Sequence, residues 1–287
     1  MFNIFDKIEE FFSKMLIDII KENLTGMLID INDKVDTIAT EVGKTPSGWN
    51  GEVFSFIQNI SENAILPIAA LIITAVLCIE LIQVVMQKNN MHEIETFDFF
   101  KYVIKMWIAI WLVSHAFEFS MAVFDLVQNL IGKAAGVINT SAKVNPSDIE
   151  SMVEILKDKD IGQLVVIAIE TAIVKMIIQG VSILITVILY GRMIEIYIYT
   201  SVCAIPFATM SNREWGNIGT NYIRGLFALG LQGLFLIICV GIYAVLVKTL
   251  NITDIHKSIF ELLGYTLILG VTMMKSGSIA KSILNAH

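Results

Sequence analysis

Long blocks of apolar residues, nearly free of charge, constrain this chain more than any other feature. Ala64 to Met86 holds one carboxylate, Glu80, and one proline, Pro67. Tyr102 to Phe124 holds Lys105, His115 and Glu118, with Trp107 and Trp111 one turn apart. Crossing a bilayer takes about 20 residues at about 1.5 Å each, so both blocks are long enough. Hydrocarbon leaves each backbone polar group to find its partner within the protein, which permits helices or a closed barrel. These blocks are too continuous for alternating barrel strands. The sequence therefore predicts an all-α, polytopic membrane protein. Composition agrees, with 55% hydrophobic and 16% charged residues and a mean hydropathy of +0.71, against about 45–50% and about 25% in soluble domains.

Five or six transmembrane helices follow, over about 64–86, 102–124, 164–190, 193–210, 223–247 and 259–274. The number turns on the stretch from Gln163 to Met210, which is too long for one span. Gly191 and Arg192, then Glu195, read as a polar interruption, and Pro206 as a bend. A tight hairpin of two spans and one long helix with an interfacial end both fit. In the 223–247 block Gly230, Gly233 and Gly241 fall near one helical face and suit close approach of a neighbouring helix. Residues 125–162 read as an aqueous loop, with a helix-start signal at Asn145-Pro146-Ser147-Asp148 followed by a short charged helix through Lys157-Asp158-Lys159-Asp160.

The first 51 residues differ from the rest, so the chain divides into a helical region with a linker, 1–51, and a membrane domain, 52–287. Apolar residues recur at Ile4, Phe5, Ile8, Phe11, Phe12, Met15, Leu16, Ile19 and Ile20, with acids and lysines between. That stripe predicts an amphipathic helix, lying on the membrane, against a partner helix or on the rest of this protein. Charges at Asp6, Lys7, Glu9, Glu10 and Lys14 are unlike a signal peptide. The linker carries Gly43-Lys44-Thr45, reminiscent of a phosphate-binding loop, but Ile38 stands where that motif needs glycine and no strand precedes it.

Charge and motif content exclude several functions. A net charge of −7 with scattered lysines and arginines is unlike a free-standing nucleic-acid binder. Cys78, Cys203 and Cys239 sit far apart within apolar blocks and read as small hydrophobes. No zinc-protease motif, nucleophile elbow or intramembrane aspartate pair occurs, so the reading is non-enzymatic, without cofactor or metal. What remains is a set of polar groups inside apolar blocks: Glu80, Lys105, His115, Glu118, Glu170, Lys175, Arg192 and Glu195. A central charge costs at least about 2.5–3.5 kcal/mol, so each should face a partner or water. Two readings compete, namely ion-pair staples between helices and the lining of a conducting path.

The run Tyr190-Gly191-Arg192-Met193-Ile194-Glu195-Ile196-Tyr197-Ile198-Tyr199-Thr200-Ser201-Val202-Cys203-Ala204-Ile205-Pro206-Phe207-Ala208, set in this arrangement of spans, resembles the TrbL family. These are polytopic inner-membrane channel subunits of conjugative type IV secretion systems. The closing Met273-Met274-Lys275-Ser276-Gly277-Ser278-Ile279-Ala280-Lys281 resembles the tail of Gram-positive members carried on integrative elements. The resemblance implies a channel or platform subunit that helps move single-stranded DNA bound to a relaxase, or protein substrates, across the cytoplasmic membrane. It implies a homo-oligomeric ring, five copies being one candidate number. Its partners would be other secretion-channel subunits, separate ATPases and membrane lipids, with transient contact to single-stranded DNA. The distribution of basic residues favours a cytoplasmic C-terminus. Against this stand a secondary transporter or ion channel using the intramembrane carboxylates, and a scaffold through which nothing passes.

Overall fold

The computed structural model describes residues 2–86, 96–139, 147–212, 214–250 and 254–286, and its regular elements are all helices. In chain order they are α1 (Phe2–Gly43), α2 (Pro46–Trp49), α3 (Gly51–Ile60), a π-helical turn (Ser61–Ile65), α4 (Leu66–Met86), α5 (Thr96–Ser114) and α6 (Ala116–Asn139). There follow α7 (Ser147–Leu156), α8 (Ile161–Ser201), α9 (Ala204–Thr209), α10 (Gly216–Lys248) and α11 (Ile255–Ile283). Four helices are long and apolar enough to cross a membrane: Gly51–Met86, Ile161–Ser201, Gly216–Lys248 and Ile255–Ile283. A fifth crossing is available if α5 and α6, bent by 71° at their junction, act as one broken span.

Polar side chains set where these helices begin. Thr45 Oγ1 accepts from the Gly48 amide at 3.1 Å and starts α2. Asn50 Oδ1 accepts from the Glu52 and Val53 amides, each at 3.1 Å, and starts α3. Both satisfy amides that a first helical turn leaves without partners. The Gly-Lys-Thr sequence thus serves as a helix cap. At α8, Asp160 Oδ1 accepts from the Gln163 amide at 2.8 Å while Gln163 Oε1 accepts from the Asp160 amide at 3.4 Å, a reciprocal capping box. Asp254 Oδ1 accepts from the Lys257 amide at 3.2 Å at the start of α11.

Two expected features fall differently. The span anticipated at 193–210 is not a helix of its own: α8 continues through Gly191, Arg192 and Glu195 to Ser201, and Pro206 lies in the short α9. Arg192 does not interrupt the helix because its side chain is buried, with Nε donating to the Leu229 carbonyl at 3.4 Å. The anticipated loop 125–162 opens as helix, since α6 runs on to Asn139, while α7 (Ser147–Leu156) is the short helix expected within it and ends before Lys157.

The helices contribute to two compact units. One comprises Met1–Gly43, Ile131–Leu189 and Phe235–Ser276; the other comprises Lys44–Leu130, Tyr190–Leu234 and Gly277–His287. The first unit groups the N-terminal helix with parts of the chain beyond residue 130. In the first unit, Ile20, Leu24, Met27, Ile31, Val35, Ile38 and Val42 form a buried stripe on α1. On α8 the matching stripe is Leu164, Ile167, Thr171, Val174, Ile178, Val181, Ile185 and Leu189. Both keep the three-and-four spacing that holds one helical face inward. Of the three surroundings open to α1, packing on its own chain is the one found beyond Ile20.

The second unit gathers α4, α5 and α9 around Ala69, Ile73, Leu77, Ala109, Val113, Phe207 and Tyr222. Tyr199 and Tyr222 stack with centroids 4.6 Å apart, and Tyr222 Oη donates to the Tyr199 carbonyl at 2.9 Å. Trp49 of α2 packs on Tyr190 and Tyr197, and Tyr197 Oη donates to the Pro46 carbonyl at 2.6 Å. α9 approaches α10 so closely that a Cβ on Gly219 would lie 2.5 Å from the Pro206 carbonyl oxygen, so only glycine fits there.

Candidate functional site

The polar residues singled out by sequence separate into two groups once their partners are seen. Glu80 of α4 is buried and ion-pairs through Oε1 with Lys105 Nζ of α5. Glu80 Oε2 is buried without a hydrogen-bond partner. Glu170 of α8 meets His256 Nδ1 of α11 at 2.6 Å. Glu195 of α8 meets Lys281 of α11 at 3.2 Å. Arg192 is held by the Leu229 carbonyl. These contacts tie one helix to another, as staples do. His115 sits at the bend between α5 and α6, its Nδ1 2.9 Å from the Trp111 carbonyl and its ring stacked on Trp111 at 4.9 Å. Glu118 is exposed on α6.

Of the glycines expected to admit close packing, Gly230 does so most sharply: a Cβ there would lie 2.9 Å from Val127 Cγ2 of α6. Gly233 is buried and Gly241 half-buried on α10.

Lys175 belongs to a different arrangement. Its Nζ donates to Asn23 Oδ1 on α1 at 3.4 Å, and Asn23 Nδ2 lies 3.4 Å from Thr171 Oγ1. Further along, Lys34 Nζ donates to Thr186 Oγ1 at 3.0 Å. A Cβ on Gly26 would come within 3.0 Å of Lys175 Cε, so α1 lies close against the lysine stem. Residue numbers rise together on both helices, so α1 and α8 run parallel. α11 is parallel to α8 as well, since Glu170 faces His256 and Val181 faces Gly270. Asp30, Lys34 and Ser182 line a small cavity of about 20 Å³ beside this seam, large enough for one water. Asp30 Oδ2 is buried there without a hydrogen-bond partner.

The seam sets α1 alongside one stretch of α8. From Met176 to Leu189 α8 has no charged residue, about 21 Å of apolar helix. Alongside it α1 carries Asp30, Asp33, Lys34 and Asp36. The apolar residues that stand out in the sequence run from Ile4 to Ile20, and Ile8, Phe11, Phe12, Met15 and Ile19 among them are exposed. Of the buried stripe they include only Ile20, and sequence reading places none of these acids, because helices carrying so many charges are set aside when spans are sought. Spacing holds the clue, since the charges avoid the stripe that packs on α8.

The family model described as "TrbL/VirB6 plasmid conjugal transfer like protein" matches residues 31–204. The chain belongs to the TrbL/VirB6 conjugal transfer family. Neither a curated protein nor a solved structure gave a match. The family is a structural component of conjugation, and its membrane-spanning helices make this TrbL/VirB6 chain a bacterial membrane protein. The matched stretch runs from Ile31 to Ala204. It thus takes in the acid-bearing second half of α1, the Glu80–Lys105 pair, Lys175 and Arg192. The closing stretch from Met273 lies beyond it.

Proposed function

We propose that this chain is a membrane-embedded channel or platform subunit of a conjugative type IV secretion machine. It helps move single-stranded DNA carried by a relaxase, or protein substrates, across the cytoplasmic membrane of a bacterium. The observation that carries this reading is the family match over residues 31–204. Four membrane-length helices and a charged helix packed alongside α8 support it.

In this reading several copies form a homo-oligomeric ring, and separate ATPases supply energy. Other secretion-channel subunits and membrane lipids surround it, contact with single-stranded DNA is transient, and the C-terminus is cytoplasmic. Because α1, α8 and α11 run parallel, the N-terminal ends of all three then begin on the opposite side. The transporter alternative draws less support at Glu80, which is ion-paired with Lys105.

Deletion of the gene in a donor cell is the test. Loss of DNA transfer, restored by the intact chain, supports the reading. Undiminished transfer without the protein removes it.

A further inference from the structure

Four helices of the first unit meet around a cavity of about 140 Å³. Leu24 and Met27 of α1, Val247 of α10 and Ile259 and Leu262 of α11 line it, and all five are buried. Half-buried Met152 of α7 closes one side, on a helix that packs against α1. The lining is therefore an interior wall and not a surface depression. A cavity of about 150 Å³ with such walls stays dry and takes up benzene. This one accordingly suits about six carbons of an apolar ligand better than it suits water.

Two polar residues complete the lining, and they differ. Ser258 Oγ donates to the Asp254 carbonyl at 2.8 Å, so its proton is used within α11. Lys248, in the last turn of α10, lines the cavity and is exposed, which puts it at the mouth. A lysine lays its apolar stem along apolar surface and keeps its ammonium in water. Among the described residues no carboxylate lines the cavity. The site thus pairs an enclosed apolar volume with one positive charge at its entrance, the complement of an anionic amphiphile.

We propose that this cavity binds a fatty carboxylate of about six to eight carbons, its tail among Leu24, Met27 and Leu262 and its carboxylate at Lys248. Volume sets the chain length. The chains of membrane phospholipids reach about 15 Å to the midplane of the hydrocarbon core, more than this cavity encloses. Charge selects the acid over the alcohol of the same length. The site lies outside the conjugal-subunit reading and stands or falls separately from it.

The test uses the full-length protein in phosphatidylcholine nanodiscs, with a diazirine derivative of octanoate as photoprobe. Crosslinks mapped by mass spectrometry should fall on peptides holding Leu24–Leu28 and Ile259–Leu262, and octanoate should suppress them. Octanol should compete about tenfold less well, the order expected for one charge-assisted hydrogen bond. Lys248→Gln should erase that difference, and its exposed position leaves the fold intact. Met152→Trp, which fills the cavity from its edge, should abolish the crosslinks; circular dichroism checks that both variants fold, and Lys248→Gln decides alone if Met152→Trp does not. Crosslinks spread over the exposed faces of α4 and α8, or not suppressed by octanoate, overturn the proposal. Equal competition by octanol and octanoate does so too, since the carboxylate then plays no part. Suppression by phosphatidylglycerol in the disc but not by octanoate gives the cavity to a lipid and likewise overturns it.

Discussion

Replacing Lys105 by methionine isolates what the buried pair between α4 and α5 contributes. The Glu80 side chain is 6% exposed and that of Lys105 40% exposed. Removing one partner of a fully buried pair costs about 3–5 kcal/mol, because the other charge is left without compensation. Solvent reaches part of Lys105, so about 2–3 kcal/mol is expected here. No second donor takes over, since Glu80 Oε2 has no hydrogen-bond partner. Removing both charges together in Glu80→Met, Lys105→Met should cost under about 1 kcal/mol, as apolar replacement of a buried pair is often neutral. Glu80→Met completes the cycle, and the double variant should cost less than the two single variants together. Reversible unfolding in mixed micelles, followed by helical circular dichroism, measures this. A Lys105→Met variant within about 0.5 kcal/mol of the parent refutes the staple, as does a double variant no better than the single. A double variant that folds but loses DNA transfer returns Glu80 to the relay reading.

Other contacts give sharper contrasts. Gly219→Ala drives a methyl to 2.5 Å from the backbone carbonyl of Pro206 and should destabilise by about 1–3 kcal/mol or more. Gly26→Ala meets only the flexible Lys175 stem at 3.0 Å and should cost under about 0.5 kcal/mol; the same unfolding assay ranks the two. Tyr222→Phe keeps the stack on Tyr199 but loses the bond to its carbonyl at 2.9 Å, with an expected cost of about 1 kcal/mol. Cys203 is fully buried, so a maleimide should leave it unmodified in folded micelles and label it on denaturation, as judged by mass spectrometry.

Much of the fold could be read from the sequence because hydrophobic length is a nearly sufficient signal in lipid. Ala64–Met86 and the block after Ile223 became α4 and the body of α10. The failure at 193–210 has a definite physical source. Gly191, Arg192 and Glu195 look like a polar break only if nothing is known of their neighbours. In the fold the Leu229 carbonyl and Lys281 take up both charges, so α8 has no reason to stop. A sequence shows that a buried charge needs a partner; it does not show which helix will supply one.

The same limit explains the site. Glu80, Glu170, Lys175 and Glu195 were found by position, since a charge within an apolar block is conspicuous. The acids of α1 were missed because they lie among other charges, where a solvated surface helix is the ordinary reading. What changes their meaning is the partner of the opposite face: Asn23 and Lys34 place α1 beside Thr171 and Thr186 of a membrane-length helix. A helix read as a free surface element is thereby tied by side-chain hydrogen bonds along an apolar one, and only the partner helix reveals it. Glu80, Lys105, Glu170, Lys175, Arg192 and Glu195 each meet a group on another helix, which position in the sequence alone does not reveal.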